Sequence, residues 1–353
     1  WDFKKHPLLA YSIQSGAAFG NEAFNCSGKI KDSYEICKEV FNNRFNKLKL
    51  NEEELNRIFI EIYGLQDELT PEVSLKDVTV SSIFDSKEDI PEEQKNNKYN
   101  LTLADVIKSF ISYAVGCMFG RYSLDTEGLA YAGGDWDSSK YKRFLPDSNN
   151  VIPITDEHYF EDDIVGYFIN FVEVVFGKQT LEQNLEFIAD ALNRNGDTSR
   201  QAIRKYFVND FYKDHVKTYK KRPIYWQFDS GKQGGFKALI YLHRYDEDTV
   251  GIVRTEYLHK VQRAYQNTLD NVQYIIDNSK DKREISFAKQ KKEKLLKQLQ
   301  ETKDYDAVLS HIALKRIALD LDDGVKVNYE KFQNIEYIKK DSRPVKINLL
   351  TKI

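Results

Sequence analysis

The chain has 353 residues, 30% of them charged, and a formal net charge of -3 at pH 7. That length allows about two domains of ordinary size, and no apolar run reaches the roughly 18 residues of a membrane-spanning helix, so a transmembrane role is excluded and a cytoplasmic protein is expected. Cys26, Cys37 and Cys117 stand far apart, with no C-x-x-C pair and no histidine at zinc-ligand spacing, which argues against a disulfide framework or a zinc module.

Trp1 opens the chain and the single Met is at position 118, so a part of a longer protein is expected. Residues 1–30 show no clear period and read as irregular. Residues 32–48 and 52–63 read as two helices: Leu55, Ile58, Phe59 and Ile62 recur at three and four, Asn51 is placed to cap the second with Glu54 at N3, and Gly64 ends it. Residues 70–98 are polar and acidic, an exposed loop or linker; residues 51–99 hold thirteen acids against five bases. Residues 102–119 form an apolar helix with Val106, Phe110, Tyr113, Ala114 and Cys117 on one stripe.

The stretches 64–100 and 120–155 are loop-rich, and loops of that length are often functional. Within the second, Lys140, Lys142 and Arg143 interleave with Trp136 and Tyr141. Phosphate contact and a plainly solvated loop are equally open there.

Helices are expected at about 157–176, 180–193 and 199–221. The last runs its cations into KKRPIYWQFDSGKQGGFKALIYLHR (220–244), where Ile224, Trp226 and Phe228 alternate with Tyr225 and Gln227 before a glycine-rich turn. A second β-type run follows from Phe236 to Leu242, so the segment reads as a β-hairpin. Lys220, Lys221, Arg222, Lys232, Lys237 and Arg244 stand at its ends and tip, where long cationic side chains reach phosphates. Residues 200–244 hold eleven Lys and Arg against three Asp, the imbalance of a polyanion-binding face or of a solvated one. Beyond it, residues 248–277 carry one long apolar stripe, and 282–321 another with an interruption near Asp304, suggesting an antiparallel helical hairpin or short coiled coil.

Support for catalysis is thin. There is no G-x-x-x-x-G-K-[ST], no strand-linked G-x-G-x-x-G, and no two adjacent prolines to build the loop that holds a flipped amino group for methylation. Asp156, Glu157, Glu161, Asp162 and Asp163 with His158 are the best metal candidate, but carboxylates at a helix start are better explained by its dipole, and no metal is assigned. The six histidines form no H-E-x-x-H or H-x-H pair, and Asp214 and His215 point about 100° apart on a helix. His243 reads as structural or phosphate-contacting.

Five strings are recognisable: NEEELNRIFIEIYGLQDELTPEV (51–73), SFISYAVGCMFGRYSLDTEGLAYAGG (109–134), YFEDDIVGYFINFV (159–172), KDHVKTYKKRPIYWQFDSGKQGGFKALIYLHRY (213–245) and DLDDGVKVNYEKFQ (320–333). They resemble the C-terminal part of the BREX (bacteriophage exclusion) adenine-specific DNA methyltransferases. The ELNRIFIEIYGL element and the RPIYW strand are also similar to target-recognition segments of fused restriction-modification enzymes. The resemblance implies a cytoplasmic phage-defence enzyme that transfers methyl from S-adenosylmethionine to adenine N6, with cofactor and catalytic motifs N-terminal to the matched region. No catalytic or cofactor-binding residue carries over, and the chain alone is expected to be inactive, without cofactor.

What the resemblance leaves for these residues is grip on double-stranded DNA and choice of target. Adenine methylation needs the base flipped from the stack while another part holds the flanking duplex. Gln227 and Gln233 are the base-contact candidates, and the cations named above the phosphate ones. Other BREX proteins or a phage inhibitor are further possible partners. The alternative is a helical scaffold that docks such proteins, and a nuclease using residues 156–163 is a weaker third. The expected architecture is a mainly helical α+β chain: a small antiparallel sheet with a hairpin near 223–243, and long C-terminal helices. Residues 1–245 would form the target-recognition and DNA-binding region, and 246–353 the long-helix region.

Overall fold

The computed structural model describes residues 5–10, 28–159, 162–193, 196–337 and 345–353. The irregular reading of residues 1–30 falls mostly outside these, as do Cys26 and Glu161. The chain is mainly helical with small sheets, an α+β protein, and it divides into two compact units. One comprises residues up to Val115 with Ile169–Ala202; the other comprises Gly116–Phe168 with Ile203–Ile353. Compactness therefore does not divide at 245, because the second unit holds chain from both sides of it.

The first unit contains α1 (Pro7–Ala10), α2 (Ile30–Tyr63), β1 (Ser82–Phe84), β2 (Asn100–Thr102), most of α3 (Leu103–Met118), the end of α4 (Ile164–Phe176) and α5 (Leu181–Ala191). Where two helices were expected before Gly64 there is one, α2, of 34 residues. No Gly or Pro interrupts residues 48–52, and Lys49 pairs with Glu53 one turn on, so Asn51 is carried through. Gly64, at φ 67°, closes the helix as expected. The first half of α2 is anchored by Ile30, Tyr34 and Cys37, and the Ile30 N–H donates to Asn184 Oδ1 at 2.8 Å.

Its second half behaves differently. Leu55, Ile58, Phe59 and Ile62, the stripe that reads as a buried face, are exposed. The following loop packs elsewhere on the helix: the Val73 N–H donates to Glu53 and the Asn56 amide to the Pro71 carbonyl. Periodicity establishes that a face is apolar; it says nothing of what covers it.

The second unit is built on three antiparallel strands, β3 (Val151–Ile154), β4 (Tyr225–Asp229) and β5 (Lys237–Tyr241), in the order β3-β5-β4. The hairpin is the expected one, with Trp226 opposite Ile240 and Phe228 opposite Ala238. β3 lies in a stretch read as loop; Pro153 hides it, and it is confined to an outer strand because it has no N–H to offer. Residues of β4 on both faces are buried. Trp226 and Phe228 face a core that includes Val261, Tyr265, Leu295 and Tyr305, whereas Tyr225 stacks on Phe119 and His215.

Helix α6 (Ser199–Asn209) begins at the boundary between the units, and α7 (Phe211–Thr218) follows it; the single helix expected at 199–221 is broken at Asp210. Next come α8 (Thr249–Ile252), a π-helical turn (Val253–Leu258), α9 (His259–Asn278), α10 (Lys282–Ala313) and α11 (Gly324–Glu330). The expected stripe is buried through Val250, Val253, Tyr257, Val261, Tyr265, Leu269 and Val272. Helix α10 packs antiparallel against α9 and passes Asp304 without the expected break; that carboxylate points outward, bonded to Gln300 one turn back. Short strands β6 (Ile335–Tyr337) and β7 (Val345–Ile347) pair with each other, and the chain beyond them lies along β4: the Asp229 N–H donates to the Leu349 carbonyl at 3.1 Å and the Thr351 N–H to the Gln227 carbonyl at 2.8 Å.

Candidate nucleic-acid interface

Helix α7 ends in a turn made of Lys220, Lys221 and Arg222. The N–H groups of Lys220 and Lys221 donate to the carbonyls of Lys217 and Val216 in the last helical turn, and that of Arg222 to the carbonyl of Tyr219, which caps the helix. Lys220 and Lys221 sit at φ 49° and 60°, two consecutive left-handed residues that are not glycine. That conformation costs an L residue about 1 kcal/mol or more. All three side chains are exposed and make no hydrogen bond or ion pair with the described residues. Pro223 then turns the chain into β4.

The glycine-rich turn at the other end of β4 is docked onto α10. Glu301 takes Ser230 Oγ at 2.7 Å and the Gly235 N–H at 3.0 Å on one oxygen, and the Gln233 N–H at 2.7 Å on the other. Side chains are excluded here, since a Cβ on Gly235 would lie 2.7 Å from the Gln298 carbonyl oxygen. The Gln233 and Gly235 donors of this turn are thus already filled by the Glu301 carboxylate, while the side chains of Lys232 and Gln233 are exposed.

Three of the expected contact residues serve the fold. Gln227 is 3% exposed and donates its amide to Thr351 Oγ1 at 2.8 Å, an interior position with no route to a base edge. Alternation placed it opposite Trp226, on what reads as a solvent face, but the second face of β4 is covered as well. Lys237 donates to the Val208 carbonyl at 3.0 Å. Arg244 donates to the carbonyls of Asp147, Phe119 and Ser148 and lies 4.4 Å above the Trp136 ring.

That stack brings the second basic loop against the hairpin's end. Trp136 stacks on Tyr141 at 4.9 Å, over Gly120, where a Cβ would strike the indole. Lys140 donates to the Ala130 carbonyl, and Arg143 pairs with Asp125 at 2.8 Å. Lys142 is exposed and has no side-chain partner among the described residues.

The acidic cluster is dispersed into ion pairs. Asp156 meets Lys294, Glu157 meets Lys291, Asp162 meets Lys260, and buried Asp163 holds Arg204 while accepting the Gly166 N–H at the start of α4. The helix expected from residue 157 therefore starts seven residues later. Among the described residues no group of three His, Cys, Asp or Glu is placed to hold a metal ion. His215 is buried; its Nε2 accepts the Tyr225 N–H at 3.1 Å, and burial pushes its pKa down to about 3. Burial also lowers His243, and among the described residues neither histidine has a carboxylate partner.

Two features went unread in the sequence. Arg121, beside Tyr122 and donating to Tyr241 Oη at 3.1 Å, lies in an aromatic setting that only the fold assembles. Lys280, Lys282, Arg283, Lys289 and Lys297 on and before α10 are exposed and unpaired among the described residues. Here a signal existed: residues 280–297 carry eight bases against three acids.

Comparison with known proteins gives the context for these cations. Over 307 residues, 86% of this chain, it is 48% identical to the adenine-specific methyltransferase PglX of Lacticaseibacillus casei (strain Zhang). Over 348 residues, 95% of the chain, it is 35% identical to the adenine-specific methyltransferase BrxX of Escherichia coli O9:H4 (strain HS). These relatives cover the chain as a fragment of a BREX adenine-specific methyltransferase. It spans about a quarter of the length of these curated relatives, 24% and 27%. No family model matches it. No helix among the described residues is long and apolar enough to cross a membrane.

Proposed function

We propose that this chain is the DNA-gripping and target-selecting part of a BREX adenine-N6 methyltransferase, inactive by itself, with S-adenosylmethionine bound and used by the rest of a cytoplasmic enzyme. The observation that carries the reading is the turn of Lys220, Lys221 and Arg222. Three adjacent cations are exposed and, among the described residues, unpaired, on a backbone held in an unfavourable conformation. Strain retained in a surface turn is most simply explained by what its side chains reach. Lys232, Lys140, Lys142 and Arg143 extend the phosphate contacts, with Lys140 and Arg143 leaving their carbonyl and Asp125 partners on binding. Of the two glutamines only Gln233 stays available for a base edge. Arg244, Lys237 and Gln227 act by supporting the hairpin. With the reading goes a division of roles near residue 245, recognition before it and helical support after it, and a place for other BREX proteins or a phage inhibitor on the same surfaces.

Titration of a labelled duplex across a range of salt concentrations tests this. Affinity falls as salt rises, and in a Lys220→Ala, Lys221→Ala, Arg222→Ala variant the slope of log K against log salt drops by about 2 to 3. Absence of DNA binding at low salt overturns the reading. A second reading, a helical scaffold that docks other defence proteins, is favoured by the uncovered stripe of α2.

A further inference from the structure

The second half of α2 presents Leu55, Ile58, Phe59 and Ile62 at 53%, 42%, 54% and 69% exposure. At 100° per residue these four span an arc of about 100°, the width of a face that ordinarily meets a core. Tyr63 and Leu69, at 70% and 53%, lie just beyond it. Isolated exposed apolar residues are common, but contiguous ones mark interaction surfaces.

The charge around the stripe narrows what covers it. Residues 51–99 carry thirteen acids against five bases, and Glu52, Glu54, Glu61, Asp67 and Glu68 stand in the stripe's own helix and the turn after it. A nucleic-acid backbone is repelled from such a rim. A second copy of this chain packed face to face would set the same acids against each other. The fitting occupant has an apolar centre rimmed by lysine and arginine. The chain spans about a quarter of its relatives' length, and a surface of that kind elsewhere in so long a polypeptide would meet the stripe at high effective concentration.

We propose that the outward stripe of α2 is the docking face for a basic, apolar-centred surface in the remainder of the longer methyltransferase polypeptide. The inference rests on the family assignment and not on DNA binding, so the two fail separately. The ELNRIFIEIYGL segment of α2 is then a junction element, joining the recognition part to the rest.

Cysteines introduced singly as Phe59→Cys and Ile62→Cys, with Leu314→Cys as an exposed control (83% exposed), test it by thiol-labelling rate. All three positions are open here, so folding of the variants is not at stake. Labelling at 59 and 62 slows at least tenfold when the chain is part of the full-length polypeptide, relative to the chain alone, while the control at 314 sets the baseline. Equal rates at 59 and 62 in the two contexts overturn the proposal. So does protection that appears only when a separate protein is added, which moves the occupant to another chain. Raising salt should partly restore labelling in the full-length protein; protection wholly insensitive to salt removes the charge argument and the stated chemistry of the occupant with it.

Discussion

His215 shows how a residue that looks chemical in the sequence is absorbed by packing. It lies between Phe211, Tyr219 and Tyr225, accepts one backbone N–H, and has among the described residues no partner for its other nitrogen. Burial therefore lowers its pKa from 6.5 to about 3, and His6 in the other unit shifts the same way for the same reason. Below pH 6.5 the unfolded chain takes up protons that the native chain refuses, so stability is full above that pH and falls as pH drops towards 3. Between pH 7 and 5 the loss is about 2 kcal/mol for each such histidine. Urea unfolding followed by fluorescence of buried Trp226 should show it, and His215→Gln, a neutral acceptor, should flatten the curve. An unchanged slope in that variant would mean that the imidazole is not the group responsible. Gln227 makes a similar point. Alternation located it correctly on the opposite face from Trp226, and only the second layer of covering residues, absent from any local pattern, made it interior.

At the scale of elements, the hairpin, the end of α2 at Gly64 and the long stripe of α9 were legible because each rests on local chemistry: period, glycine and β-branched or aromatic content. What was not legible depends on distant partners. β3 needed the knowledge that Pro153 would sit on an outer strand, paired on one side only, and the outward turn of α2's stripe needed the loop that packs behind it. The basic turn after α7 lies between these cases. Its charges were plain, its left-handed backbone was not. Replacing Lys221 by Gly removes the conformational penalty and should stabilise the fold by about 0.5 to 1 kcal/mol, while duplex affinity weakens and the salt slope falls by about 1. Stability and binding moving in opposite directions would separate a turn kept for its contacts from one kept for its packing; a destabilised Lys221→Gly chain would count against the strain argument.

On the scale of the whole chain, the near-neutral net charge conceals an acidic segment at 51–99 and a basic one at 200–244, and these fall in different compact units apart from the first three residues of the basic one. The sequence supplied that asymmetry and the family, yet it did not supply the discontinuity of the second unit. That unit closes only when β3, from before the first unit's last helices, reaches β5 about 85 residues later. Contacts of such separation leave no periodic trace in a sequence.

The strip of chain after β7 has a consequence for handling this protein. The three-stranded sheet has two outer strands. One carries Pro153; the other, β4, is overlaid by Leu349 to Thr351 through the Asp229 and Gln227 backbone bonds, with the Tyr305 hydroxyl donating to the Leu349 carbonyl at 2.6 Å. These last residues act as a guard against edge-to-edge aggregation. A chain cut at residue 344 should leave β4 with free donors and acceptors flanked by aromatic residues, and copies should associate through it. Light scattering during concentration should rise for the cut chain and stay flat for the intact one. Equal scattering would show that β4 stays protected without its guard.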